Sequence, residues 1–254
     1  MSDLDAALTP FRSEPAASAV VVDFDGTLAP IVNDPAAARP IEGSTEVLAR
    51  LVGRYGLVAL VSGRPVEFLR PQVPEGVVLA GLYGLEVVRD GQRLDHPGAG
   101  AWREVVTDVA RSSIDRGPAG MEVESKGLSL TLHYRNHPEI ADEVREWARR
   151  QAARSGLQPR AAKMSVELHP PIEADKGTAL EALVEGLDNV LYIGDDLGDL
   201  PAFDALDRLA REGVTVLRVA VAGDEAPDEL VARADLLVDG PPGVLDVLRR
   251  LAAD

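Results

Sequence analysis

The chain has 254 residues, 46% of them apolar, and its 26 Lys and Arg against 42 Asp and Glu give a net charge of −16. This length allows two domains, the apolar content excludes a disordered chain, and the negative charge disfavours nucleic acid or an anionic membrane as the main partner. The absence of cysteine excludes disulfides and thiolate chemistry, and the four histidines lack the H-E-x-x-H spacing of zinc hydrolases.

The N-terminal stretch MSDLDAALTPFRSEPAAS is acidic and has no apolar core of the kind that a secretion signal needs. No later apolar run approaches the length that crosses a bilayer. We therefore expect a cytoplasmic protein with no membrane partner.

Two buried parallel strands are predicted early in the chain, because residues 19–22 (AVVV) and 57–61 (LVALV) are continuously apolar. The first is followed by Asp23-Phe24-Asp25-Gly26-Thr27 and the second by Ser62-Gly63-Arg64. A helix is predicted between them over residues 44–54. Two carboxylates as close as Asp23 and Asp25 repel each other, so their proximity calls for a neutralising cation.

The middle of the chain, residues 97–171, has a different pattern. Two successive units, each a helix followed by two strands, are predicted there: 101–116, 121–125 and 128–135, then 138–156, 157–162 and 164–169. The strand LSLTLHYR alternates apolar and polar residues, which is typical of an antiparallel sheet with one covered face. We interpret the segment as an inserted α+β domain; the alternative is that its strands extend the main sheet.

After the insertion the α/β pattern returns. Strands are predicted at residues 190–194, 214–221 and 235–238, and helices at 177–186, 198–213 and 241–253. The predicted fold is α/β, a doubly wound parallel sheet with an inserted α+β domain. The α/β core would be formed by residues 1–96 and 172–254, and the inserted domain by 97–171.

Ligands of open parallel sheets bind beyond the carboxyl ends of the strands. The predicted strand ends carry five carboxylates, which belong to Asp23, Asp25, Asp195, Asp196 and Asp199. Only Lys176 and Arg64 oppose them, so a divalent cation is expected, and an all-oxygen ligand set favours Mg²⁺. The hydroxyls of Thr27 and Ser62, the backbone at Gly26 and Gly63, and the charge of Lys176 suit a phosphate group.

Each motif alone has a simpler interpretation. Asp-Gly is a common turn, Ser-Gly often occupies a strand-to-helix loop, Asp-Lys-Gly can begin a helix, and GDDLGD can cap one. Four such elements in this order, three of them at strand ends, are rare together. The combination therefore predicts a phosphate-handling site.

These residues resemble the motifs of the haloacid dehalogenase-type (HAD) phosphohydrolases: DFDGT, Ser62, Lys176 and GDDLGD. The insertion resembles the C2 cap class. Within the superfamily, the chain is most similar to the trehalose-6-phosphate phosphatases, on the segments VSGRP, AGLYGLE, VESKGLSLTLHYR and VELHPP. It departs from their pattern at four positions: Tyr83, His169, Gly198 and Leu200.

The resemblance implies that Asp23 is the nucleophile of an aspartyl-phosphate pathway and that Asp25 is the general acid and base. Thr27, Ser62 and Lys176 would stabilise the phosphoryl oxygens. Mg²⁺ would be bound by Asp23, Asp195 and the Asp25 carbonyl, with Asp196 and Asp199 holding its waters. The resemblance, with the strand pattern, also implies substrate contacts from these residues: Gly26, Gly63, Arg64, Glu124, Lys126, Arg135 and Glu167.

The expected activity is Mg²⁺-dependent hydrolysis of trehalose 6-phosphate, a phosphorylated disaccharide, by a monomer or weak oligomer. Open alternatives are a phosphatase for another sugar phosphate, such as a glucosyl- or mannosylglycerate phosphate or sucrose phosphate, and a phosphomutase. A non-catalytic sugar-phosphate sensor is a further alternative.

Overall fold

The structure is a computed structural model that describes residues 3–32, 34–162, 164–223 and 226–253. It divides into two compact units. The first contains the chain up to Leu94 and again from Ala174 onward, and the second contains residues 95–173.

The first unit is built on a sheet with the strand order β12-β11-β10-β1-β2-β3-β4-β5. Pairing is parallel from β12 to β3 and antiparallel between β3 and β4. The strands are β1 (Ser18–Val22), β2 (Leu57–Val61), β3 (Val78–Gly81), β4 (Glu86–Arg89), β5 (Gln92–Asp95), β10 (Asn189–Gly194), β11 (Thr215–Ala222) and β12 (Leu236–Asp239).

Helices pack on both faces of this sheet, which makes it doubly wound. Successive residues of a strand face opposite sides of the sheet, so each strand contributes side chains to two cores. Val20 and Val22 of β1 join one core, and Ala19 and Val21 join the other. The helices of this unit are α1 (Asp3–Ala7), α2 (Thr9–Ser13), α3 (Ser44–Val52), α4 (Val66–Leu69), α7 (Lys176–Leu183), α8 (Leu200–Arg211), α9 (Asp228–Arg233) and α10 (Gly240–Leu251).

The second unit is a four-stranded antiparallel sheet in the order β6-β7-β9-β8 with two helices. Apolar side chains of β7 and β9, such as Leu132 and Leu168, share a core with Val106 and Val144 of the helices. The elements are α5 (Arg103–Arg116), β6 (Glu122–Ser125), β7 (Leu130–His133), α6 (Ala141–Ser155), β8 (Gln158–Ala162) and β9 (Ser165–His169).

The predicted fold class is confirmed, and the continuously apolar segments are the fully buried strands at the centre of the sheet. Strands β3, β4 and β5 were not predicted. Within the described ranges, no helix combines the length and the apolarity that crossing a membrane requires.

Candidate active site

The carboxyl ends of three adjacent strands bring the predicted motifs together. Strand β1 lies between β10 and β2, with Val22 level with Ile193 on one side and with Leu60 on the other. Asp23 and Asp195 therefore follow neighbouring strands, and Asp23 N donates to Ile193 O at 2.9 Å. This pairing fixes the backbone position of Asp23, which is only 3% exposed.

Lys176 is the cation at the centre of this edge. Asp175 caps α7 by accepting from Thr178 N, so the helix begins at Lys176. Lys176 Nζ lies 2.9 Å from Asp23 Oδ1 and 2.7 Å from Asp199 Oδ1, and its side chain is 5% exposed. Burial lowers the pKa of Lys176, but the charges of Asp199 and Asp23 outweigh it and raise that pKa well above the ordinary value. Lys176 therefore stays charged.

The Asp199 carboxylate accepts four hydrogen bonds from residues at this edge of the sheet. Its Oδ1 accepts from Lys176 Nζ and, at 2.6 Å, from Tyr192 Oη; its Oδ2 accepts from the backbone N–H groups of Asp195 and Asp196 at 2.8 and 3.0 Å. A carboxylate offers about four lone-pair sites. These bonds order the loop after β10, and the role predicted for Asp199, holding metal-bound water, stays a prediction.

Asp196 is exposed by comparison, with 63% of its side chain accessible. Its Oδ1 accepts from Gly198 N at 2.8 Å, which caps the short 3₁₀ turn that follows β10. The role predicted for Asp196, holding metal-bound water, stays a prediction.

An oxygen cluster suited to a divalent cation lies at this edge. Asp23, Asp195 and Asp199 each offer a carboxylate oxygen, and these oxygens lie within 4.8 Å of one another. Burial raises the pKa of Asp23 well above its ordinary value, and burial with the charges of Asp199 and Asp196 raises the pKa of Asp195 to about 7. A cation would favour the ionised forms, and hard oxygen donors fit Mg²⁺. Because Asp199 is fully bonded, Asp23 and Asp195 are the carboxylates that fit this role.

Thr27 and Gly26 make hydrogen bonds within the protein, and the phosphate contacts predicted for them stay a prediction. Thr27 is fully buried and its Oγ1 donates to Asp195 Oδ1 at 3.0 Å, while Gly26 N donates to Ala29 O at 2.7 Å. A hydroxyl and an amide each have one proton to donate, so both are used within the protein. These two residues hold Asp195 and the turn after β1 in place.

Gly26→Ala should lower turnover by about 10²-fold, because a misplaced catalytic group costs on this scale. A Cβ at Gly26 would come within 1.9 Å of Asp195 Oδ2 and displace that carboxylate. Gly186 is the matched control, since it shares the φ of +81° but has open space around it. Both variants should lose about 1 kcal/mol of stability through backbone strain. The steric argument fails if Gly26→Ala and Gly186→Ala are equally active in a phosphate-release assay.

Arg64 forms a two-pronged ion pair with the Asp25 carboxylate. Its Nε and Nη2 donate to the two Asp25 carboxylate oxygens, each at 2.7 Å, and its guanidinium lies 4.5 Å from the Phe68 ring centre. Arg64 N donates to Ser62 Oγ at 3.1 Å, and Ser62 Oγ keeps its own proton with no acceptor among the described residues. Ser62 thus remains suited to phosphate, and the predicted substrate contact of Arg64 stays a prediction beside its ion pair with Asp25.

Two further residues shape the loop after β2, and sequence reasoning gave neither a role there. Tyr83 has left-handed backbone angles (φ 60°, ψ 30°), its N–H donates to Ser62 O at 3.0 Å, and a Cβ at Gly63 would lie 2.7 Å from its hydroxyl. Glu86, 4% exposed, accepts from Val66 N at 3.0 Å and so caps α4. Gly63 therefore allows the Tyr83 ring to approach; its predicted substrate contact stays a prediction.

The second unit gathers a separate polar cluster. Glu167 Oε1 accepts from Lys126 Nζ at 3.1 Å and from Ser129 Oγ at 3.0 Å, and its Oε2 lies 3.2 Å from His169 Nε2. Sequence reasoning missed Ser129 and gave His169 no role in this cluster.

Two other predicted substrate contacts lie outside that cluster. Glu124 Oε2 pairs with His133 Nε2 at 2.9 Å. Arg135 is exposed in the turn after β7, where it makes no hydrogen bond or ion pair with a described residue. The structure therefore brings Lys126 and Glu167 together and leaves Arg135 apart.

Glu167 should make stability pH-dependent in the acid range. Burial would raise its pKa, but the His169 ring at 3.2 Å and the Lys126 charge outweigh burial and lower the pKa from 4.5 to about 2. The stabilisation is therefore complete above the unfolded value of 4.5 and is lost as the pH falls toward 2. It amounts to about 3 kcal/mol.

Urea unfolding of the wild type and Glu167→Gln at pH 7 and pH 2.5 measures this effect. The difference between the two proteins in unfolding free energy should shrink at the lower pH. Glu122→Gln, on the exposed part of β6, is the control and should show no such change. An unchanged difference for Glu167→Gln would contradict the prediction.

The sheet order and the aspartate-bearing strand ends are those of a HAD-like fold. A haloacid dehalogenase-like hydrolase from Bacteroides thetaiotaomicron superimposes with a TM-score of 0.62 at 16% identity, covering 92% of this chain and 98% of that one. The C. albicans trehalose-6-phosphate phosphatase C-terminal domain superimposes with a TM-score of 0.75 at 24% identity, covering 99% and 97%. At these identities the likeness is one of fold.

Sequence comparison gives the family. The sequence model of the family described as "Trehalose-phosphatase" matches residues 21–234, and the chain belongs to this family. The trehalose-phosphate phosphatase of Mycobacterium avium is 36% identical over an alignment of 251 residues, which covers 92% of this chain and 62% of that protein. The chain spans between 18% and 62% of the length of the first curated relatives that it matches.

Proposed function

We propose that this chain is a phosphatase that hydrolyses trehalose 6-phosphate to trehalose and phosphate. The observation that carries the proposal is Asp23, a buried carboxylate at a strand end, 2.9 Å from the Lys176 ammonium and grouped with Asp195 in an oxygen cluster. Membership of the trehalose-phosphatase family supports the substrate.

Asp23 would attack phosphorus, so that an aspartyl-phosphate forms as the bond from phosphorus to the sugar oxygen breaks. Lys176 and the Ser62 hydroxyl would stabilise charge on the phosphoryl oxygens. Water would then attack phosphorus and release Asp23 with inorganic phosphate. The Lys176 position supports this assignment, because its Nζ already contacts the nucleophile.

Asp25 would donate a proton to the departing sugar oxygen and later accept one from the attacking water. In the structure both of its oxygens accept from Arg64. Because Arg64 occupies both oxygens, Asp25 must move away from the guanidinium before it can act on the substrate. We assign Arg64 the role of positioning Asp25 between these steps.

Asp23, Asp195 and the Asp25 carbonyl would hold Mg²⁺, with Asp196 near its waters. When bound, the ion would neutralise the negative charge that the phosphate brings to this edge. Thr27 supports the arrangement by fixing the orientation of the Asp195 carboxylate.

The second unit would supply sugar recognition through Lys126, Glu167 and Glu124. Sugar hydroxyls need both donors and acceptors, and a site built to hydrogen-bond them discriminates against substrates that lack them. Gly63 and Arg135 complete the proposed substrate contacts. A cytoplasmic location and a monomeric or weakly associated state also remain predictions.

A panel of sugar phosphates, assayed for phosphate release with Mg²⁺, tests the proposal. The panel contains trehalose 6-phosphate, sucrose 6-phosphate, and glucosyl- and mannosylglycerate phosphates. We expect kcat/KM to be highest for trehalose 6-phosphate. A clear preference for another member would refute the substrate, and no release from any of them would refute the enzymatic function.

A further inference from the structure

The sheet of the second unit has one polar face, which the strand register defines. One row of paired residues crosses all four strands of this sheet. In strand order it consists of Glu124 (β6), Thr131 (β7), Glu167 (β9) and Arg160 (β8). Residues that are level in adjacent strands share a face. The neighbouring apolar residues Leu130 and Leu132 are on the opposite face, packed in the core.

Thr131 stands out in this row because its hydroxyl is buried without a partner. The residue is 4% exposed, and its Oγ1 has no hydrogen bond to any residue that the structure describes. A buried hydroxyl without a hydrogen bond costs about 1–3 kcal/mol. Most buried polar groups have partners, so an exception requires a reason.

The surroundings of Thr131 indicate what that reason is. Its two level neighbours, Glu124 and Glu167, end in carboxylates that already accept from His133 and from Lys126 and Ser129. Gln151, another unpartnered group in this unit, lies on α6 rather than on the polar face. Thr131 thus offers one donor and acceptor in the middle of a row of charged groups.

We propose that Thr131 is a specificity-determining residue that hydrogen-bonds a hydroxyl of the sugar. This rests on the proposed function, which it extends from the charged residues to a neutral one that sequence reasoning did not select. A sugar hydroxyl both donates and accepts, as does threonine. A bound sugar hydroxyl would give the buried Oγ1 a hydrogen-bond partner. The cost of the unpaired hydroxyl would then be removed in the sugar-bound state, which favours binding.

Two variants of Thr131 separate this role from a structural one. Thr131→Val keeps the shape and removes the hydroxyl, whereas Thr131→Ser keeps the hydroxyl. For trehalose 6-phosphate, Thr131→Val should lower kcat/KM about tenfold, mainly through KM, the scale of one lost hydrogen bond. Thr131→Ser should stay within about twofold, and Thr131→Val should unfold at a temperature no lower than the wild type, since valine leaves no unpaired group.

Thr107→Val is the matched control, because Thr107 is exposed on α5 and its Oγ1 donates to Arg103 O within the helix. Wild-type kinetics for Thr131→Val, or an equal loss in Thr131→Ser, would overturn the inference and leave the proposed function standing. Failure of the wild type itself to release phosphate from every sugar phosphate of the panel would overturn both.

Discussion

Asp23→Asn should abolish phosphate release, with turnover reduced by about 10⁴-fold or more, while the protein stays folded. Losses of this scale follow removal of a covalent nucleophile. An amide does not form the acyl-phosphate, yet its oxygen can still accept from Lys176. Stability should not fall, because Lys176 keeps Asp199 as an ion-pair partner at 2.7 Å, and because burial, which outweighs the Lys176 charge, raises the pKa of Asp23 and disfavours its ionised form.

Steady-state phosphate release and thermal unfolding measure the two parts of this prediction. Asp246→Asn is the control, since Asp246 is a half-exposed carboxylate on α10 paired with Arg250 and belongs to the same unit. It should retain wild-type turnover. Near-normal activity in Asp23→Asn would rule out Asp23 as the nucleophile.

Lys176→Met should lose both activity and stability. Methionine has a similar length but no charge, so Asp23 and Asp199 would face each other without the cation that now lies 2.9 and 2.7 Å from them. Removing one partner of a buried ionic group costs about 3–5 kcal/mol, because it leaves an uncompensated charge. Urea unfolding in the absence of divalent cations measures that loss.

The double variant Lys176→Met/Asp199→Asn distinguishes charge balance from packing. An asparagine at 199 removes one of the two facing charges, and its amide oxygen can still accept from the N–H groups of Asp195 and Asp196. Part of the lost stability should return, whereas activity should stay lost because Lys176 is absent. If the double variant is no more stable than Lys176→Met, the destabilisation does not arise from unbalanced charge.

Much of the fold could be predicted because burial leaves a direct signal. Strands β1, β2 and β10 are buried on both faces, so their sequences are continuously apolar. Strand β5 is largely exposed and β4 is only partly buried, and neither carries such a run. Their signal is the turn between them: Asp90 and Gly91 both have positive φ, as two-residue hairpins require, and Asp-Gly is a strong sign of such a turn.

The membership of the site was also predictable, because parallel strand ends converge, but the partners within it were not. Thr27 donates to Asp195, and Arg64 holds Asp25, through contacts that depend on how side chains from distant segments meet. Charge counting placed Asp199 at this edge, but it could not show that the carboxylate accepts four hydrogen bonds from the protein. A sequence shows which charges gather at an edge but not which lone pairs are already used.

The alternating pattern of LSLTLHYR also predicts which polar residues of this strand share a face. In a strand of period two, Ser129, Thr131 and His133 share one face. The pattern therefore places three small or ionisable polar groups beside the predicted sugar contacts. Their partners still required the structure, because Glu167 comes from a strand 38 residues further along the chain than Ser129.

Dependence on a divalent cation tests the central claim most directly, since the crowded carboxylates of Asp23 and Asp195 are explained by a cation between them. Phosphate release from trehalose 6-phosphate should be measured with protein treated with EDTA, before and after Mg²⁺ is added in excess. We predict no release before the addition and full activity after it. Undiminished release in EDTA would contradict the account.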